Sequence, residues 1–315
     1  MARRDETLLA RIIIENFRCL RSVDVPLKPL TVLIGPNDSG KSTFLEALKL
    51  LASGREGTQI DRSDYWRQLG DHVARVTGTK RNGARLEGAD ARELQPIGFY
   101  RLPPEGILLE SEGYSDQGAP PDIGAQGEMV PALLDYFLRR DRRRFQDVVA
   151  ALQRLIPGLE EIEIATPNAH RRQLDLVVEN GLRLRPHQVS AGVRLLMFFV
   201  ALAYHPSSPR LIMVEEPENG IHPKRLADVV ALLREIAEGK HGDRASQVIL
   251  TTHSPYLLDR VDLTRDQVLV FRRNADGSRS AEPVDAERLK LFLDEFMLGE
   301  VWFNQSEEGL VARQS

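Results

Sequence analysis

Gly35-Pro-Asn-Asp-Ser-Gly40-Lys41-Ser42 is the segment whose residue types and spacing most plainly imply chemistry. It fits the pattern G-x-x-x-x-G-K-[ST], which needs a strand before it and a helix after it. Leu30-Thr-Val-Leu-Ile34 reads as that strand, and Phe44, Leu45, Leu48 and Leu51 recur at helical spacing, with Gly54 as the stop. Glycines let successive backbone N–H groups turn inward around phosphate oxygens, and the helix N-terminus adds its positive dipole end. Lys41 is then expected to reach the β- and γ-phosphates and the Ser42 hydroxyl to ligate Mg²⁺. The expected ATP-binding stretch is Gly35, Pro36, Asn37, Asp38, Ser39, Gly40, Lys41, Ser42 and Thr43, with ATP and Mg²⁺ as cofactors.

Leu211-Ile-Met-Val-Glu215-Glu216-Pro217 is an apolar strand ending in two carboxylates. Alternation along a strand sends neighbours to opposite faces, so the two can do different work. Glu215 is expected in the Mg²⁺ shell, and Glu216 as the general base that orients an attacking water. Taken alone, such a strand ends as readily in a polar turn. Thr251-Thr-His253-Ser-Pro255 closes the next expected strand, and His253 is placed to hydrogen-bond a γ-phosphate. Gln188-Val-Ser190-Ala-Gly192-Val-Arg194 opens an apolar helix. Ser190 suits the N-cap, which is either an ordinary cap or an anion site.

The elements that must position these groups follow from periodicity. Arg11 to Phe17 is a short β-branched run, and residues 70–102 read as a glycine-punctuated meander of strands. Residues 112–128, rich in Gly, Pro, Ser and Asp, read as a loop. Pro131 suits a helix start; Phe145, Val148, Val149, Leu152, Leu155 and Ile156 form one apolar stripe, ended by Pro157-Gly158. Val189 to Tyr204 is a second, heavily apolar helix. Arg210 to Val214 and Gln247 to Thr252 are buried strands with a helix from Pro223 to Glu238 between them, an alternation that implies a partly parallel sheet.

Composition narrows the setting. The 315 residues carry 42 basic and 46 acidic side chains, so a chain built only to wrap nucleic acid is excluded, and any such contact must be local. One cysteine, Cys19, excludes an intrachain disulfide framework and fits a reducing compartment. The longest apolar run, Leu195 to Tyr204, is about half the roughly 20 residues of a membrane span. No apolar stretch follows the charged N-terminus, so no signal peptide is expected, and the cytoplasm is the expected location.

The phosphate loop, the Ser190–Gly192 helix start, the acidic strand and His253, in that order, resemble the ATP-binding-cassette ATPases. Ile14-Glu-Asn-Phe17-Arg18 and Glu215-Glu-Pro-Glu-Asn-Gly-Ile-His222-Pro223 make the chain similar to their RecF/SMC-like branch, which includes AAA family ATPases, OLD-type domains and phage-defence ATPases. The resemblance covers about residues 11–275. It implies an α/β P-loop NTPase of ABC-ATPase type, a mixed-sheet core with a helical lobe. Residues 1–110 and 198–315 would form the ATPase core and 111–197 the helical, signature-bearing lobe. It also implies a homodimer glued by ATP, in which Ser190 and Gly192 act on the partner's nucleotide and Asn219 to His222 crosses the interface.

The sequence departs from the family at Glu215, where an aspartate is usual, and at Val-Ser-Ala-Gly in the signature. Gln95, Gln117 and Gln126 are equal candidates for the glutamine of the lobe-connecting loop. Only 62 residues follow His253, too few for the Toprim nuclease domain of OLD-type proteins, so a nuclease or other effector would be a separate chain. The leading expectation is a dimerising ATPase acting on DNA or switching an effector, in repair or phage defence. The competing ones are a nucleotide-binding subunit of a membrane transporter, a P-loop kinase or GTPase, and an ATP-bound clamp with little hydrolysis. Arg139-Arg-Asp-Arg-Arg-Arg144, on an expected helix, is either a phosphate contact or a solvated face. Phe296 to Phe303, apolar and aromatic, docks either on the chain itself or on a partner.

Overall fold

The computed structural model describes residues 9–55, 61–66, 73–115, 118–287, 289 and 296–311. The chain forms two compact units, residues 1–98 with 209–216 and 246–315, and residues 99–208 with 217–245.

The first unit is organised by a mixed sheet. β1 (Leu9–Phe17) and β2 (Leu20–Pro26) form an antiparallel hairpin, with Arg11 opposite Pro26 and Phe17 opposite Leu20. β4 (Arg75–Lys80) flanks β1 and β5 (Arg85–Leu86) flanks β4, both antiparallel. β3 (Leu30–Ile34) is buried at all five positions, as a strand covered on both faces must be. It runs parallel to β12 (Gln247–Thr251) on one side and β13 (Gln267–Arg273) on the other. β11 (Leu211–Glu215) lies parallel to β12, and β14 (Arg279–Pro283) pairs antiparallel with β13. The strand order is β5-β4-β1-β2-β14-β13-β3-β12-β11-β6, with β6 (Ile97–Arg101) carrying the chain from the first unit into the second.

α1 (Lys41–Ser53) follows β3 and stops at Gly54, which adopts φ 71°. Its Phe44 ring meets Phe271 of β13 edge-on at 5.5 Å, which fixes the helix to the sheet. α6 (Pro255–Leu258) packs against α7 (Leu298–Leu310), where the Gly299 amide donates to Asp259 Oδ1 at 2.8 Å. Leu298, Val301 and Trp302 are buried there, so the aromatic tail docks on its own chain, while Phe296, Met297 and Phe303 stay exposed.

The second unit combines helices with a sheet of its own. α2 (Val130–Arg140) and α3 (Arg142–Leu155) are separated at Asp141, whose carboxylate caps α3 by accepting from the Arg144 amide. The arginine run therefore straddles a helix junction instead of lining one helix. β8 (Leu159–Asn168), β9 (Arg171–Val178), β10 (Leu182–Leu184) and β7 (Glu110–Glu112) make a four-stranded antiparallel sheet. The expected helical lobe carries this sheet beside its helices. The alternation that buries Ile162, Leu174 and Leu176 is the signal for these strands. α4 (Ala191–Ala203) is buried from Leu195 onward and packs on α2, α3 and α5 (Leu226–Glu238). This packing gathers 99–110, 198–208 and 217–245 into the second unit, which is larger than the expected 111–197.

Candidate nucleotide site

β13, β3, β12 and β11 are parallel, so their C-terminal ends share one sheet edge, the place where open α/β sheets bind ligands. Gly35 follows β3, Glu216 follows β11, and His253 lies two residues past β12. All three belong to the first unit.

The phosphate loop has the backbone its sequence requires. Gly35, Asp38 and Gly40 have φ of 141°, 59° and 102°, an arrangement that turns N–H groups inward as an anion nest. A Cβ on Gly35 would sit 2.4 Å from the Phe271 carbonyl oxygen, so only glycine fits. Pro36, Asn37 and Asp38 form the exposed crest, whereas Ser39 and Gly40 are buried. Lys41 is 7% exposed, and its ammonium donates to the Gly35 and Pro36 carbonyls at 2.8 and 2.9 Å. Ser42 is exposed in the first turn of α1, and the Thr43 hydroxyl accepts from Cys19 Sγ at 3.4 Å.

Burial pushes the Lys41 ammonium down to about 8, and Glu216 and then Glu307 pull it back up. Bound phosphates would favour the charged form. ATP binding above about pH 8 should therefore take up a proton and weaken as pH rises. Calorimetry in two buffers of different ionisation enthalpy reads this; identical heats at pH 8.5 would refute the linkage.

Glu216 also departs from ordinary backbone, with φ 47°, and its amide donates to the Thr251 carbonyl at 3.0 Å. That turn brings Glu216 Oε1 within 3.7 Å of His253 Nε2. Burial lowers the His253 pKa, the Lys41 charge lowers it further, and Glu216 opposes both, so the imidazole is neutral at pH 7. Lys41, Glu216 and His253 thus share one electrostatic neighbourhood.

Glu215 stands opposite Thr251 across the β11–β12 pair, with one carboxylate oxygen buried. Ser42 and Glu215 are oxygen donors at the same sheet edge, which suits a hard cation such as Mg²⁺. Among the described residues no three His, Cys, Asp or Glu side chains converge as a cage.

Ser190 caps α4, its hydroxyl accepting from the Val193 amide at 3.4 Å. Gly192 faces the Gly220 carbonyl, 3.5 Å from where a Cβ would stand. The signature segment and the Asn219–His222 loop are therefore neighbours in the second unit. Gln95 donates to the Ala52 carbonyl at 3.1 Å, at the end of α1 remote from the phosphate loop, which argues against a nucleotide role. Gln117 lies outside the described residues, and the Gln126 amide donates to Glu128 Oε2. One contact of the loop carries no local sequence signal: Arg279 bonds to Asp38 from 241 residues away.

A family model described as "AAA ATPase domain" matches residues 8–80, and one described as "AAA domain, putative AbiEii toxin, Type IV TA system" matches residues 107–259. The OLD nuclease of Thermus scotoductus is 50% identical over 44 residues, 14% of this chain and 8% of that protein. The DNA replication and repair protein RecF of Actinobacillus succinogenes is 26% identical over 170 residues, 47% of this chain and 44% of that one. The chain thus spans less than half the length of these curated relatives. A crystal structure of an SMC head bound to the C-terminal winged-helix domain of ScpA superposes with a TM-score of 0.55 at 15% identity, covering 89% of this chain and 98% of that one. That likeness establishes the SMC-head fold. Both halves of the nucleotide site fall within AAA matches on that fold, and the chain is similar to AAA ATPase domains and to RecF/SMC-like ATPases.

Proposed function

We propose that this chain binds ATP with Mg²⁺, closes as a head-to-tail homodimer around it, and hydrolyses it to drive or switch a DNA-directed process through a separate effector. The observation that carries this reading is the convergence of Lys41, Glu216 and His253 on one sheet edge beside the phosphate loop. Lys41 would exchange the Gly35 and Pro36 carbonyls for β- and γ-phosphate oxygens. Mg²⁺, held by Ser42 and Glu215, would neutralise developing phosphate charge. Glu216 would accept the proton of the attacking water, while neutral His253 would hold the γ-phosphate by a hydrogen bond. The contact between Gly192 and Gly220 supports the dimer, because it places both segments assigned to the interface side by side.

Mass photometry with and without ATP–Mg²⁺ tests the dimer. Ser190→Arg should remove an ATP-dependent dimer while leaving ATP binding to the monomer intact. A dimer of equal population in both proteins would exclude Ser190 from the interface.

Support for DNA comes from the names of the RecF and OLD relatives, a repair protein and a nuclease. The arginine run is more engaged within the chain than its sequence suggests. Arg139 pairs with Asp135, and Arg144 bonds to Asp141, the Tyr204 and His241 carbonyls and Asp243. Arg140, Arg142 and Arg143 are exposed. Substituting these three with Gln should reduce the log–log salt slope of duplex binding by about 0.9 for each phosphate no longer neutralised. An unchanged slope would assign the run to packing and solvent.

A further inference from the structure

Asp38 sits at the crest of the phosphate loop in the left-handed region, φ 59°, with its side chain 87% exposed. A carboxylate there repels the polyphosphate the loop must admit. Arg279 answers both features. Its Nε donates to the Asp38 carbonyl at 2.7 Å, its Nη2 to Asp38 Oδ2 at 2.8 Å, and its Nη1 to the Gly277 carbonyl at 2.5 Å. The side chain is only 8% exposed. Its origin is fixed as well, since the Arg279 amide donates to the Cys19 carbonyl at 2.9 Å and Arg279 stands opposite Leu20 of β2. A Cβ on Gly40 would lie 3.2 Å from Arg279 Cβ, so the arginine stem is also the wall behind the loop.

We propose that Arg279 is a positioning residue for ATP: it pins the phosphate loop through the Asp38 carbonyl and cancels the Asp38 charge. This rests on the ATP-binding reading above. A buried guanidinium with two bonds to one residue is a stiff, strong anchor, and a lysine cannot reproduce its fork.

The test is ATP–Mg²⁺ titration by calorimetry, at low and high salt, on wild type, Arg279→Gln, Arg279→Lys, Asp38→Asn and the Arg279→Gln/Asp38→Asn pair. Arg279→Gln should weaken ATP by about tenfold or more, chiefly at low salt, because an unpaired carboxylate is then exposed to the phosphates. Removing that carboxylate in the double variant should restore much of the loss, and Arg279→Lys should fall between. Asp38→Asn alone keeps a residue that tolerates the left-handed region and leaves Arg279 uncompensated, so it should bind ATP more tightly than wild type. If Arg279→Gln fails to fold, Asp38→Asn decides: affinity equal to or weaker than wild type overturns the proposal. A double variant as weak as Arg279→Gln overturns the charge-cancelling half of the proposal, since Asp38→Asn removes the carboxylate but does not restore the bond to the Asp38 carbonyl. Wild type that binds no ATP would instead refute the nucleotide reading itself.

Discussion

Glu216→Gln should stop ATP turnover while leaving ATP bound. The amide is nearly isosteric with the carboxylate, and the Glu216 backbone bond to Thr251 does not depend on the side chain. The amide cannot take a proton from water, and losing a positioned base costs about 10²–10⁴-fold in rate. The substitution also removes the influence that raises the His253 pKa, so that imidazole should titrate at a lower pH in the variant. Two readouts therefore move together: steady-state phosphate release falls, and the His253 proton resonances titrate later on acidification. The undischarged nucleotide should also enlarge the ATP-dependent dimer population, and Ser190→Arg should cancel that gain. Wild-type turnover would remove Glu216 from the role of base. An inactive variant that stays monomeric in ATP would end the dimer proposal.

Lys41→Ala should nearly abolish ATP binding. Lys41 is the loop's own buried cation, and hydrogen bonds to charged groups contribute roughly 1.5–3 kcal/mol each. Losing two such bonds predicts a weakening of about 10²-fold or more in a nucleotide titration. The variant also leaves the Gly35 and Pro36 carbonyls without their ammonium donor, so its thermal stability should be measured alongside. Unchanged affinity would mean that the loop does not hold phosphate.

The phosphate loop, its strand and its helix were legible because one contiguous stretch encodes all three, down to Gly54 as the stop of α1. Glu216 and His253 were legible as residues at strand ends, but their 3.7 Å approach is not, because it depends on parallel pairing of β11 with β12 and on a left-handed turn at Glu216. Ser190 was readable as a cap from its place before an apolar helix. The β8–β10 strands were missed although their apolar residues alternate, because interleaved charges such as Glu161, Glu163 and Asp175 dilute each short run. The arginine run misled for a local reason: Asp141 caps one helix at the point where another ends. Arg279 could not be found at all, since nothing in Arg-Ser-Ala-Glu-Pro indicates that its guanidinium reaches a loop near the other end of the chain.

The placement of β3 sets an order on how the protein can fold. Its neighbours arrive late, Val248 pairing with Leu30 and Gln267 with Thr31. At about 5–20 residues per second of synthesis, β3 waits roughly ten to fifty seconds for its flanking strands. Throughout that interval Leu30-Thr-Val-Leu-Ile34, buried at every position in the finished sheet, is an unpaired apolar strand. Such a segment is prone to misassociation while it stays unpaired. Residues 99–208, which hold β7 to β10 and α2 to α4, are all synthesised within that interval. The phosphate loop, anchored against Phe271 and Arg279, is then among the last features to form, so a ribosome-bound chain short of β13 cannot hold nucleotide in it.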